Sequence, residues 1–163
     1  MAVARANSGI PLDMEQFRAA DIRGGRVASA DASLIRVTFG TDGILDLIGS
    51  NFTYDAAGVP TGGSLERIDA FTAASGGTPA VTVTNLAVPL VDFFTAATQG
   101  DTTSAMNALF GETDDIAGST LGDRLIGFAG NDILDGLDGD DVLDPRAGSD
   151  AVTGGGGFDV ARF

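Results

Sequence analysis

Five aspartates, Asp123, Asp132, Asp141, Asp150 and Asp159, recur every nine residues near the end of this 163-residue chain. Carboxylates at a fixed interval are a chemistry that repeats, and the residues around them repeat too. Two positions after the first four stands an aliphatic side chain, Leu125, Leu134, Leu143 or Val152; behind Asp159 that position holds Ala161. Glycines crowd the positions before each acid, and the stretch reads GSTLGDRLI, GFAGNDILD, GLDGDDVLD, PRAGSDAVT, GGGGFDVAR. A period that fixes glycine, acid and aliphatic together requires every unit to turn, bind and pack alike. Glycine permits backbone angles that a side chain forbids, so a glycine-rich turn can point carbonyl oxygens inward while the aspartate adds a carboxylate. Calcium suits such a set, because it accepts about six to eight oxygen ligands in loose geometry, whereas magnesium demands a tighter octahedron. The chain has no histidine and no cysteine, which removes the usual ligands of zinc and copper.

The stretch matches G-G-x-G-x-D-x-U-x, the calcium-binding nonapeptide repeat, and residues 118–163 resemble the repeats-in-toxin (RTX) family of secreted bacterial haemolysins, proteases, lipases and adhesins. The resemblance implies a parallel β-roll, a two-sided β-helix that is disordered in the low calcium of the cytoplasm and folds outside. It implies export through a type I secretion channel without a cleaved N-terminal signal. As metal ligands it implies Asp123, Asp132, Asp141, Asp150 and Asp159, with carbonyls of residues such as Gly127, Ala129, Gly136, Asp138, Gly154 and Gly156. In such a roll, positions one to six of each unit turn and positions seven to nine are a strand with the aliphatic inside. Two units make one coil of 18 residues, so turns two units apart stack at about 4.8 Å. Carboxylates about 5 Å apart repel by roughly 3 kcal/mol at an effective dielectric near 20, and a divalent cation between them turns repulsion into attraction.

Pairing turns two units apart gives the loops 118–123 with 136–141, 127–132 with 145–150, and 136–141 with 154–159, hence about three calcium ions. The units at Gly127 and Gly136 keep the pattern best. The first has Leu121 where glycine is expected, and the fourth begins with Pro145 and Arg146. The fixed φ of Pro145 is expected to distort its turn. The third site therefore ranks best and the first weakest. Asp114 lies nine residues before Asp123 with Ile116 behind it, in a unit (LFGETDDIA) that has lost most glycines; it is read as a degenerate cap. The resemblance covers under a third of the chain and identifies a module, from which no activity follows.

The net charge of −14 comes mainly from aspartate, and every basic residue is arginine. That balance argues against nucleic acid, which needs a basic face, and against direct insertion into or binding to anionic membranes. It fits an acidic protein kept soluble until a cation condenses it, and the lack of cysteine suits an extracellular bacterial protein stabilised by metal. The N-terminus, MAVARANSGIPLD, has no apolar core of signal-peptide length, and no apolar run approaches a membrane span.

The expected fold is mainly β: an arm over residues 1–24, an antiparallel β-rich domain over 25–112 with one or two short helices near 89–110, and the β-roll over 113–163. Within Ser33–Phe39, Ile35, Val37 and Phe39 alternate with Leu34, Arg36 and Thr38, the period of a strand with one buried face. Gly40–Gly43 makes a turn and Ile44–Ile48 returns as a hairpin. Phe52–Tyr54 reads as a third strand closed by the breaker-rich stretch 55–63, and Leu65–Phe71 and Ala80–Thr84 as further strands around a Ser75–Gly77 loop. After Pro89 the spacing turns helical, with Leu90, Val91, Phe94 and Ala97 on one side. A second helix is expected over Ser104–Phe110, capped by Thr103 or Ser104. Phe93, Phe94, Met106 and Phe110 are read as core covering the sheet and the first coil. Asp46, Asp55, Glu66 and Asp69 are read as solvated.

Three function classes are weighed. The leading one is a secreted, non-enzymatic calcium module at the bacterial cell surface or outside. The second is a structural or adhesive subunit, self-associating or bound to another surface component through open roll ends, or the tail of a larger protein, since the chain stops at Phe163 directly after its last repeat. An enzyme is disfavoured: there is no histidine base, no H-E-x-x-H, no G-x-S-x-G and no cysteine nucleophile.

Overall fold

Alternation of apolar and polar residues makes Leu34–Phe39 a strand (β3), in which Ile35 and Val37 are buried. In the computed structural model, which describes residues 1–6, 26–39, 43–72, 79–99 and 102–163, β3 lies between two antiparallel partners. These are β2 (Arg26–Ala30) and β4 (Gly43–Tyr54). β4 pairs with β5 (Pro60–Thr72), and β5 with β6 (Val81–Thr84) and the two-residue β7 (Val88–Pro89). Phe52–Tyr54 is the end of β4 rather than a separate strand. The ladder absorbs the irregularity in bulges between Ile48 and Gly49 and between Ser50 and Thr53, with Asn51 at φ 55°. The turn at residues 40–42 and the Ser75–Gly77 loop lie outside the described residues.

Two helices follow, α1 (Leu90–Gln99) and α2 (Thr102–Phe110). Among the described side chains of α1, Leu90 and Phe93 are buried, whereas Val91 and Phe94 are half-buried. The inward stripe is therefore rotated from the expected Leu90–Val91–Phe94 face, and Ala97 lies outside what is described. α2 starts earlier than expected, so Thr103 and Ser104 sit exposed in its first turn instead of capping it. Its Ala105, Met106, Leu109 and Phe110 are buried in one continuous core with Phe93, Phe52 and Leu65.

Val3–Ala6, within the stretch read as an arm, is a strand (β1). It pairs antiparallel with β6 on one side and parallel with β8 (Asp115–Ala117) on the other. From there every pairing is parallel and 18 residues apart. β8 pairs with β10 (Ile133–Asp135) and β10 with β12 (Ala151–Thr153), completing a ten-stranded mixed sheet. β9 (Arg124–Ile126), β11 (Val142–Asp144) and β13 (Val160–Ala161) form a second, three-stranded parallel sheet. Consecutive repeats thus alternate between sheets, and the position-eight aliphatics fall in register: Ile116 with Leu134 and Val152, Leu125 with Leu143 and Ala161. Ile116, Leu125, Leu134 and Leu143 are essentially inaccessible to water, each contributing about 2 kcal/mol by burial. Among the described residues no helix is long and apolar enough to cross a membrane.

Candidate functional site: a column of stacked carboxylates

The acids of the N-terminal sheet do not form the solvated set expected. Asp46 and Asp69 are buried and face each other across β4 and β5. Each is gripped by a guanidinium: Arg36 donates to Asp46 at 2.6 and 2.5 Å, and Arg67 to Asp69 at 2.9 and 2.6 Å. These carboxylates are buried because an arginine on the same face neutralises each, and the hydrogen bonds to the carboxylates, with their charge, in turn raise the pKa of Arg36 and Arg67. Asp55 is exposed and accepts the amides of Ala57 and Val59, closing its loop. Glu66 is also exposed and accepts the Ser50 hydroxyl, while Tyr54 donates to the Asp31 carbonyl.

The repeat aspartates are arranged differently. The aspartates stand in two columns, Asp114–Asp132–Asp150 and Asp123–Asp141–Asp159, and within each a main-chain amide donates to the carboxylate one level on, 18 residues later. Asp114 N–H reaches Asp132 Oδ1 at 2.8 Å, and Asp123 N–H reaches Asp141 Oδ1 at 2.8 Å. Asp132 N–H reaches Asp150 Oδ1 at 2.9 Å, and Asp141 N–H reaches Asp159 Oδ1 at 3.1 Å. These bonds engage one oxygen of each accepting carboxylate. Asp132 and Asp141 are only 1 % exposed, yet Oδ2 of each has no hydrogen-bond partner. Burial raises the pKa of Asp132 to about 6, with Asp114 and Asp150 adding repulsion against the amide bond that lowers it. Burial likewise raises Asp141, helped by the charges of Asp123, Asp159 and Asp140.

What those free oxygens face is set by the leading glycine of each unit. A methyl group on Gly127 would lie 2.6 Å from both Asp132 Oδ2 and the carbonyl oxygen of Pro145. On Gly136 it would collide with Asp141 Oδ2 and the Gly154 carbonyl, and on Gly154 with Asp159 Oδ2. At Gly127 and Gly136 a carboxylate oxygen and a carbonyl of the stacked turn therefore converge on the space that a side chain would fill, whereas at Gly154 only the Asp159 carboxylate does. Among the described residues no three acidic side chains gather at one point; the oxygens that gather combine side chain with main chain.

The turns are shaped by two left-handed positions. Position four is Gly130, Gly139, Gly148 or Gly157, at φ 130–151°, where only glycine is unstrained. Position two is Phe128, Leu137, Arg146 or Gly155, at φ 66–104°, and the first three hold a conformation costing an L-residue about 1–2 kcal/mol. Phe128 is held by stacking on Phe110, centroids 6.1 Å apart, and by the Arg146 guanidinium 4.5 Å over its ring. The distortion expected at Pro145 does not occur: Arg146 takes the common φ, and Ala129 and Ala147 bridge in parallel register. The first unit is the exception, since neither Ser119 nor Leu121 is left-handed.

Of the expected ligands, Asp141 Oδ2 lies with the Gly154 carbonyl and Asp123 Oδ2 with the Gly136 carbonyl, whereas Asp132 Oδ2 lies with the carbonyl of Pro145 and Gly127 presents its Cα there rather than its carbonyl. Asp150 and Asp159 accept the amides of Asp132 and Asp141. Asp138 is exposed and bridges to Gly156 on the flank, where the Gly156 carbonyl already accepts Gly139 N–H at 2.7 Å. Ala129 is half-buried beside Phe110. Asp123 is buried but engaged within its own turn. Asp114, read as a cap, extends the column: it is fully buried, takes the Ala2 amide at 2.5 Å on Oδ1, and leaves Oδ2 without a partner. Burial raises its pKa to about 6. Its nine-residue spacing was the available signal; the contact with Ala2 had none. No family model, curated protein or solved structure matches the chain.

Proposed function

We propose that residues 113–163 form an RTX-like parallel β-roll that binds calcium between stacked turns, in a secreted, non-enzymatic bacterial protein. One observation carries this reading: buried Asp132 and Asp141 each leave Oδ2 without a donor, beside a carbonyl and in a space kept clear by glycine. An uncompensated buried carboxylate is costly, and a hard cation that prefers oxygen is the partner that removes the cost. Bound calcium neutralises the stacked charges, so its binding energy becomes folding energy for the repeats. Extracellular calcium modules have dissociation constants of about 10⁻⁴–10⁻³ M, which leaves such sites empty in a cell and filled outside it. That match between site and environment supports secretion. Asp46 and Asp69 are committed to arginines and Asp55 to loop amides, which supports a role without catalysis.

Isothermal titration with calcium, alongside circular dichroism in calcium and in chelator, tests the proposal. The expected outcome is saturable binding in the submillimolar to millimolar range with a gain of β signal. No heat and an unchanged spectrum at about 10 mM calcium would sink it.

A further inference from the structure

The first turn of the array, at Asp123, is built unlike the turns below it. Ser119 N–H donates to Asp123 Oδ2 at 2.5 Å, and the Ser119 hydroxyl lies 3.3 Å from Asp123 Oδ1. The same hydroxyl accepts Leu121 N–H at 3.1 Å, and Ser119 is buried. Asp123 Oδ2 is the oxygen that corresponds to the partnerless Oδ2 of Asp132 and Asp141: with Gly136 O, it lies against the position of a methyl on Gly118. In the third unit the amide equivalent to Ser119 is Leu137 N–H, which turns away to Asp135 Oδ1 at 3.2 Å. The difference follows from the backbone. Position two, which carries that amide, is left-handed at Leu137 and not at Ser119.

We infer that Ser119 takes the place of the cation in the first turn, so that this turn closes without metal and calcium enters only at the Asp132 and Asp141 turns. The inference rests on the calcium reading above and narrows it, from one ion per stacked pair of turns to none at Asp123. The Ser119 amide supplies the positive end that a cation supplies elsewhere, and a metal there would have to break that bond first. The uppermost repeat thereby becomes a preformed platform, joined through Gly118 N–H to the Asp135 carbonyl at 2.8 Å.

The test is calcium stoichiometry of the full chain, by native mass spectrometry and titration calorimetry. The expected wild-type result is one ion each at Asp132 and Asp141, where a partnerless Oδ2 lies beside a leading glycine and a stacked carbonyl; Asp114 shares the partnerless Oδ2, but its unit opens with Leu109. S119G combined with L121G restores glycine at positions two and four, and should bind one ion more than wild type. A wild-type count one higher overturns the inference and leaves the calcium reading intact, whereas no binding at all removes both. Any other wild-type count, or a folded double variant whose count does not rise, also overturns it. Should the double variant fail to fold in calcium, amide exchange of the wild-type protein decides. The Ser119 amide stays protected in chelator if the inference holds, and exchanges freely until calcium is added if it does not.

Discussion

A carboxylate oxygen sealed from water without a donor is costly, and Asp141 places one beside the Gly154 carbonyl. Asp141→Asn keeps an acceptor for the Asp123 amide but removes the charge. It is expected to weaken calcium at that turn at least about tenfold, or about 1.4 kcal/mol, while the loaded protein stays folded; calorimetry and circular dichroism check both halves. Asp141→Ala also strands the Asp123 amide and should cost a further 1–3 kcal/mol or so in thermal unfolding. Gly136→Ala leaves every charge in place and puts a methyl group where the two oxygens converge. It should abolish binding at that turn alone, read as the loss of one ion in native mass spectrometry.

At the scale of the strands, three residues per repeat are too few to stand alone, and each holds because an aliphatic from the level above and below meets it. Leu134 touches Ile116 and Val152 through the ladder, so Leu134→Ala should destabilise the calcium-loaded protein by about 2–5 kcal/mol. Phe128→Ala removes the ring between Phe110 and Arg146 and should cost about 3–5 kcal/mol. Both are measured by denaturant titration in saturating calcium. The repeat strands were readable in the sequence because acid and aliphatic recur in one register, and Ile35 and Val37 marked β3 by alternation alone. Other features were not readable. Burial of Asp46 and Asp69 depends on arginines brought beside them by sheet register, and the rotation of α1 depends on which face meets α2 and β5. Ser119 was hidden because a serine at position two looks like a small substitution for glycine until its φ is known. The pairing of β1 with β8 joins residues more than a hundred apart, and no local pattern announces it.

For the molecule as a whole, the buried column couples stability to pH. Asp114 and Asp132 have pKa values raised to about 6 in the folded chain, against an ordinary carboxylate value of 3.8. The folded state therefore holds protons that the unfolded state has released between those values. Without metal, stability is greatest below the lower value and is lost as pH rises through about 6. On the proposed calcium reading, the ion would compete with the same protons, so its affinity should move the opposite way and fall as pH drops below about 6. Melting curves in chelator at pH 5 and 7.5, paired with calcium titrations at the same two pH values, check both signs. The single sheet that runs from hairpins to repeats carries a different consequence, for anyone who would move the array elsewhere. Cut free before residue 113, it would present Asp115–Ala117 as a raw parallel edge, the side that Val3–Ala6 shields in the intact chain. A transplanted array would need a donor strand, and a peptide with the sequence of residues 1–6 is the natural one to supply in trans.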